Sequence, residues 1–281
     1  MKYPAQKWKV VKFRRRQNRR RLRSVPRVVV PGFFTLMNLF CGFLSIVAVA
    51  DDNLILGAWL IVLAGMFDSL DGVVARLANA TSSFGTELDS LSDIVSFGVA
   101  PGFLILHFGL HEMSVAGIII SALPPLCGSV RLARFNVAAV DRTYEDFRGL
   151  PIPVQAVILA AFVLTFIHTP ELFEGLQYGV ATVLVPLVVI LSFLMLSTIP
   201  FDKLPSFNKE SFKYRKPRFL LFLFYLTIII LFQEYGLIFV FSVYILKGLI
   251  TGAWLFWNEQ FGEESGYSIE DDYGARQGRD L

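Results

Sequence analysis

Charge is scarce in this chain. Asp, Glu, Lys and Arg make up 17% of the 281 residues and hydrophobic residues 54%, whereas a soluble domain carries about 25% charged residues. That excludes an ordinary water-soluble globule. The apolar runs are continuous rather than alternating, which argues against a β-barrel. Cysteine is nearly absent: Cys41 and Cys127 alone, both inside apolar runs, exclude a disulfide framework and read as buried structural thiols. Only three histidines occur, His107, His111 and His168. All fall at expected helix ends or outer loops, and their spacing matches no metal-ligand pattern. What remains is an all-α integral membrane protein, a polytopic bundle of helices packed in lipid.

Eight spans are expected, near 32–50, 53–76, 89–110, 113–136, 151–169, 178–200, 219–233 and 236–256. The first ends in Ala48-Val49-Ala50, which looks like a cleavage site. Its apolar stretch is too long for a signal peptide, so a retained span is expected. Residues 1–30 form a basic arm with twelve Lys or Arg by residue 27 and no acid. An arm of this kind could hold nucleic acid. The expectation here is a juxtamembrane segment on an anionic leaflet, with Trp8 and Phe13 at the interface and no nucleic-acid partner. A basic loop at 201–218 and an acidic, disordered tail at 258–281 complete the polar parts.

Lys and Arg are missing from every expected outer loop. The inner loops hold Arg142, Arg148, Lys203, Lys209, Lys213, Arg215, Lys216 and Arg218. By the positive-inside rule this puts both termini on the cytoplasmic side of the cell membrane. Lys247, in mid-span, is the exception, and snorkelling or pairing inside the bundle would accommodate it.

Against this apolar background one acidic pattern stands out, D-x2-D-G-x2-A-R-x8-G-x3-D-x3-D. It is filled by Asp68, Asp71, Gly72, Ala75, Arg76, Gly85, Asp89 and Asp93. Carboxylates in membrane helices are costly and mark function. Asp68 and Asp71 share a helix face with Gly72 and Ala75, whose small side chains leave room for a ligand. Gly85, Asp89 and Asp93 repeat that logic on the next helix. The short connection at Asn79–Ser83 lets the two faces meet at the inner surface. Four such carboxylates could not all stay ionised without cations. Oxygen ligands in this number suit Mg²⁺, Mn²⁺ or Ca²⁺, and two ions would clamp a pyrophosphate. Ordinary helix-capping and helix-pairing aspartates would explain one such pair, but not the whole pattern.

The pattern resembles the signature of the CDP-alcohol phosphatidyltransferase family, with every fixed position matched. The resemblance implies two divalent ions, Mg²⁺ or Mn²⁺, held by Asp68, Asp71, Asp89 and Asp93, with Asp93 also the general base. It implies a cytidine nucleotide lined by Asp68, Gly72, Ala75, Arg76 and Gly85. It further implies a homodimer, and it covers the catalytic domain at 31–200; the last two expected spans lie beyond it and read as an additional transmembrane hairpin at 219–257. Glu87–Pro101, Arg131–Asn136 and Gly149–Pro153 resemble the phosphatidylserine synthase branch. That branch implies CDP-diacylglycerol as donor, L-serine as acceptor and CMP as leaving product.

Arg131 and Arg134 lie three apart at the inner end of the fourth span, on one face. Guanidinium groups there could bind serine's carboxylate or a phosphate, with Asn136 beside them as donor and acceptor. Both arginines could instead be membrane-edge anchors. Thr35 and Asn38 are polar and three apart in the first span; Asn38 could face the nucleotide or bond a neighbouring helix. Glycerol 3-phosphate or inositol phosphate as acceptor stays open at this point. A cation transporter fits less well, because its acids would lie at the midplane in repeated halves.

Overall fold

The computed structural model describes residues 25–78, 82–141, 149–173, 175, 179–199, 201 and 216–261. The arm before residue 25, the tail after 261, Asn79–Thr81 and most of the basic loop lie outside the described residues. All described elements are helical.

Helix α1 is Val25–Ala50 and α2 is Leu54–Ala78. The turn between them is built by polar residues. Asp52 takes the left-handed φ of +59° that ends α1, a conformation Asp tolerates better than most residues. Asn53 caps α2, its Oδ1 accepting from the Leu56 N–H at 3.1 Å. Ser45 donates to the Gly57 carbonyl at 2.8 Å, so the two helices pack back to back over small residues.

Helix α3, Ser83–Asp93, opens on the Ser82 cap, whose Oγ accepts from the Gly85 N–H at 3.0 Å. It does not end at Asp93. The backbone widens into a π-turn at Ile94–Val99 and continues as α4, Ala100–Ile105. Pro101, which has no N–H to give to the preceding turn, sits at this junction. The Ala100 N–H reaches back to Val95.

The chain reverses at Ser114, where φ is +51°, into α5 (Ser114–Ser121) and α6 (Leu123–Asp141). The register of that reversal is legible in three close approaches. Gly117 lies against the Leu110 carbonyl, Gly102 against the Ser121 carbonyl and Gly98 against Pro125.

Helix α7, Ile152–His168, is the centre of the bundle, with an unbroken buried run from Val154 to Thr165. A helix apolar on all sides must be enclosed on all sides. At its start Gly149, with φ +92°, donates to the Ile199 carbonyl at 2.8 Å, and Leu150 donates to Leu194 at 3.0 Å. Those bonds tie α7 to the end of α8, Ala181–Leu196.

The last element, α9, is one helix of 46 residues, Lys216–Phe261. This corrects the expected hairpin at 219–257. The gap between the spans expected at 219–233 and 236–256 falls at Gln233-Glu234-Tyr235-Gly236, but Gln and Glu are good helix formers. One glycine without a proline does not break a helix flanked by long apolar runs. The inside position expected for the tail rested on that hairpin and loses its support.

Four stretches are long and apolar enough to cross a membrane: Gly32–Ala50, Leu54–Val74, Phe84–Val137 and Tyr235–Trp254. The third doubles back at Ser114. Ile152–His168 and Ala181–Leu196 are shorter apolar helices. The protein is a multi-pass helical membrane protein, and eight separate spans are not found among the described residues. Cys41 and Cys127 are buried free thiols, as expected.

Candidate active site

Asp68 and Asp71 lie in the second half of α2, and Asp89 and Asp93 one and two turns past Gly85 in α3. Carboxylate oxygens of Asp68, Asp89 and Asp93 all lie within 4.8 Å of one another. Bond lengths of about 2.1–2.5 Å put opposite ligands of Mg²⁺ or Ca²⁺ roughly 4–5 Å apart, so the spacing suits such a cation. Their charges repel one another, and Asp71 repels both Asp68 and Asp89. The donor set is all carboxylate oxygen, the chemistry of a hard divalent ion. The residues fit the group that the pattern implies.

Asp71 stands slightly aside from the other three. It is buried, and the Thr35 hydroxyl of α1 donates to its Oδ2. Asp93 is also buried, and Asn38, one turn further along α1, donates from Nδ2 to Asp93 Oδ1 at 3.2 Å. Asn38 is itself held, because Ser96 in the π-turn donates to its backbone carbonyl at 2.9 Å. Gly42 makes this contact between α1 and the π-turn possible, since any Cβ there would overlap Ser96. Thus α1 forms the back wall of the acidic site.

Arg131 enters from α6. It is buried, and its charge acts on Asp93 and on Tyr244 of α9. The site therefore joins a cluster of acids, one buried guanidinium and two neutral hydrogen-bond donors, drawn from α1, α2, α3 and α6.

A family model for CDP-alcohol phosphatidyltransferase matches residues 28–194.

The chain belongs to the CDP-alcohol phosphatidyltransferase family.

The matched segment contains all four aspartates, Thr35, Asn38, Arg131, Arg134 and Asn136; α9 lies beyond it. A CDP-diacylglycerol–serine O-phosphatidyltransferase of Helicobacter pylori is 33% identical over 231 residues, 82% of this chain and 93% of that one. One of Bacillus subtilis is 36% identical over 183 residues, 65% of this chain and 93% of its own length. An archaetidylserine synthase of Methanothermobacter thermautotrophicus is 41% identical over 140 residues, 49% of this chain and 59% of that one.

Within this CDP-alcohol phosphatidyltransferase chain the other expected site residues divide. Gly72 adjoins Asp71, and Gly85 opens α3 on the Ser82 cap. Ala75 and Arg76 occupy the end of α2, and their side chains lie outside the described part. Arg134 is exposed and donates to the Leu196 carbonyl at 3.0 Å, satisfying an orphan carbonyl at the end of α8. Asn136 donates to Ser90 Oγ at 3.2 Å and pins α6 to α3. Both therefore serve the frame in this arrangement, and of the three it is the charge of Arg131 that acts on Asp93.

Sequence reasoning did not find Ser90, Ser96 or Tyr244. For Ser96 a signal existed: Asp89, Asp93 and Ser96 follow the i, i+4, i+7 spacing of one helix face. For Tyr244 none did, because its partner Arg131 lies more than a hundred positions away.

Proposed function

We propose that this chain transfers the phosphatidyl group of CDP-diacylglycerol to the hydroxyl of L-serine, giving phosphatidylserine and CMP. The observation that carries the reading is the three-carboxylate cluster, with the buried charge of Arg131 acting on Asp93, inside the family-matched segment. The relatives named above as serine O-phosphatidyltransferases support the acceptor.

The residues act as follows. Asp68, Asp71, Asp89 and Asp93 would hold Mg²⁺ or Mn²⁺, as two ions. When bound, the metal neutralises the donor's pyrophosphate and stabilises charge developing at phosphorus. Gly72, Ala75, Arg76 and Gly85, with Asp68, are assigned to the cytidine nucleotide, and the acyl chains stay in lipid. Asp93 takes the proton from the serine hydroxyl. That oxygen then bonds to the lipid-side phosphorus, and the bond from this phosphorus to the CMP oxygen breaks with its electron pair leaving on CMP. Arg131 binds the serine carboxylate through paired hydrogen bonds. General-base assistance of this kind is worth about 10²–10⁴-fold.

We place the site and the amino-terminal arm on the cytoplasmic side of the cell membrane, where serine and the lipid-held nucleotide meet. We read the functional unit as a homodimer, to be tested by the mass of the purified protein in detergent. The decisive experiment for the reaction is an acceptor panel. CMP release from CDP-diacylglycerol is expected only with L-serine and Mg²⁺ or Mn²⁺ present. Product formed only with glycerol 3-phosphate, an inositol phosphate or another alcohol would overturn the assignment.

A further inference from the structure

Asn38 is the unusual residue of the site. It is fully buried, at 0% exposure, in the middle of a membrane helix. Its Nδ2 donates to Asp93 Oδ1 at 3.2 Å. Only the NH₂ end of an amide can donate to a carboxylate, which fixes the orientation of the head group. The amide oxygen, Oδ1, is consequently committed elsewhere, and among the described residues no donor reaches it. Buried polar atoms without a partner are rare in folded proteins and point to a function or a ligand. The backbone cannot easily move to relieve it, because Ser96 holds the Asn38 carbonyl at 2.9 Å and Gly42 seats Ser96 directly against α1.

An acceptor oxygen beside the proton-accepting aspartate calls for a ligand that carries N–H or O–H donors. CDP-diacylglycerol carries donors on its ribose and cytosine, which the residues assigned above to the nucleotide receive. The amino acid brings its hydroxyl to Asp93 itself, and its ammonium sits on the carbon next to the one that bears that hydroxyl, beside the Asn38 amide. We propose that Asn38 Oδ1 receives the ammonium group of the amino-acid acceptor, making Asn38 a specificity-determining residue for an amino alcohol over other alcohols. This rests on the transfer to serine proposed above. Three unlike groups then meet the acceptor from three helices: Asp93 of α3 takes the hydroxyl proton, Arg131 of α6 the carboxylate and Asn38 of α1 the ammonium. Three different contacts to substituents of one chiral centre also select one enantiomer.

The test compares acceptors, not only variants. Purified wild-type protein and Asn38→Ala and Asn38→Ser variants are assayed by CMP release, with L-serine and with 3-hydroxypropanoate, which is serine without its amine. Serine-dependent release by the wild type is measured first, so a failure of the proposed reaction is seen separately. A hydrogen bond to a charged group corresponds to about 10- to 100-fold in kcat/KM. Asn38→Ala is expected to lose that much of the preference for serine over 3-hydroxypropanoate. KM for CDP-diacylglycerol should stay within about two-fold of wild type. Asn38→Ser keeps an acceptor oxygen and should retain part of the preference. Loss of turnover by the same factor with both acceptors would make Asn38 a packing or Asp93-positioning residue only, and would overturn the proposal. A changed requirement for Mg²⁺ with an unchanged acceptor preference would make it a metal ligand, and would overturn it equally.

Discussion

Each acid of the cluster has its own surroundings, and the surroundings assign its work. Asp93 accepts from the Asn38 amide and feels the Arg131 charge, the best-furnished position of the four. Asp93→Asn keeps the shape and removes the base. Turnover is expected to fall at least 10²-fold while CDP-diacylglycerol still binds, measured by CMP release and by equilibrium binding of the lipid nucleotide. Turnover near wild type in the purified variant would remove the base role. Asp71 depends instead on one hydroxyl, that of Thr35. Thr35→Val is nearly isosteric but leaves that carboxylate without its donor, a loss of about 1–2 kcal/mol. The Mg²⁺ concentration giving half-maximal activity is expected to rise about 5- to 30-fold, with activity recovered at high Mg²⁺. An unchanged metal titration would separate Asp71 from metal binding. The sequence pattern identified all four acids at this scale because buried carboxylates in an apolar chain admit few explanations. It left Thr35 and Asn38 open because one polar residue inside a helix reads alike whether it faces a substrate or a neighbour.

At the scale of elements, the site depends on how closely α1 approaches the π-turn after Asp93. Gly42 sits at that contact, with Ser96 filling the space a side chain would take. Gly42→Leu is expected to push α1 away and carry Asn38 off Asp93. Overpacking of this kind costs about 1–3 kcal/mol, and activity should fall further than that destabilisation accounts for. Thermal unfolding in detergent, measured beside turnover, distinguishes the two effects. Full activity in a stable Gly42→Leu protein would show that the contact does not organise the site. The positions of α1, α2 and α7 were legible from hydrophobic runs and turn residues, whereas α3 begins six residues before the expected span at 89–110 because its first turns are polar. The π-turn was not legible, because a widened turn leaves the apolar periodicity almost unchanged. Helix α9 was misjudged for a related reason. The polar residues Gln233 and Glu234 interrupt hydropathy without interrupting helix geometry, and hydropathy alone cannot tell the two apart.

For the whole molecule the governing relation is between the acidic site and the two faces of the membrane. The reversal at Ser114 sits at one end of the bundle and the start of α3, with the aspartates near it, toward the other, since α3 and α4 run between them. Lys and Arg are absent from the first and abundant in the loops assigned to the second, which is what the positive-inside rule requires of an inward-facing site. Glu112 and Thr86 are exposed positions near these two ends, and the native thiols Cys41 and Cys127 are buried, so introduced cysteines report with little background. In intact cells a membrane-impermeant thiol reagent is expected to modify Glu112→Cys. It should reach Thr86→Cys only after the membrane is permeabilised. CDP-diacylglycerol added with a divalent ion should slow the labelling of Thr86→Cys, near the cluster, and leave that of Glu112→Cys unchanged. The reverse pattern of access would place the aspartates on the outer face. It would separate them from the cytoplasmic serine and nucleotide supply that the proposed reaction requires.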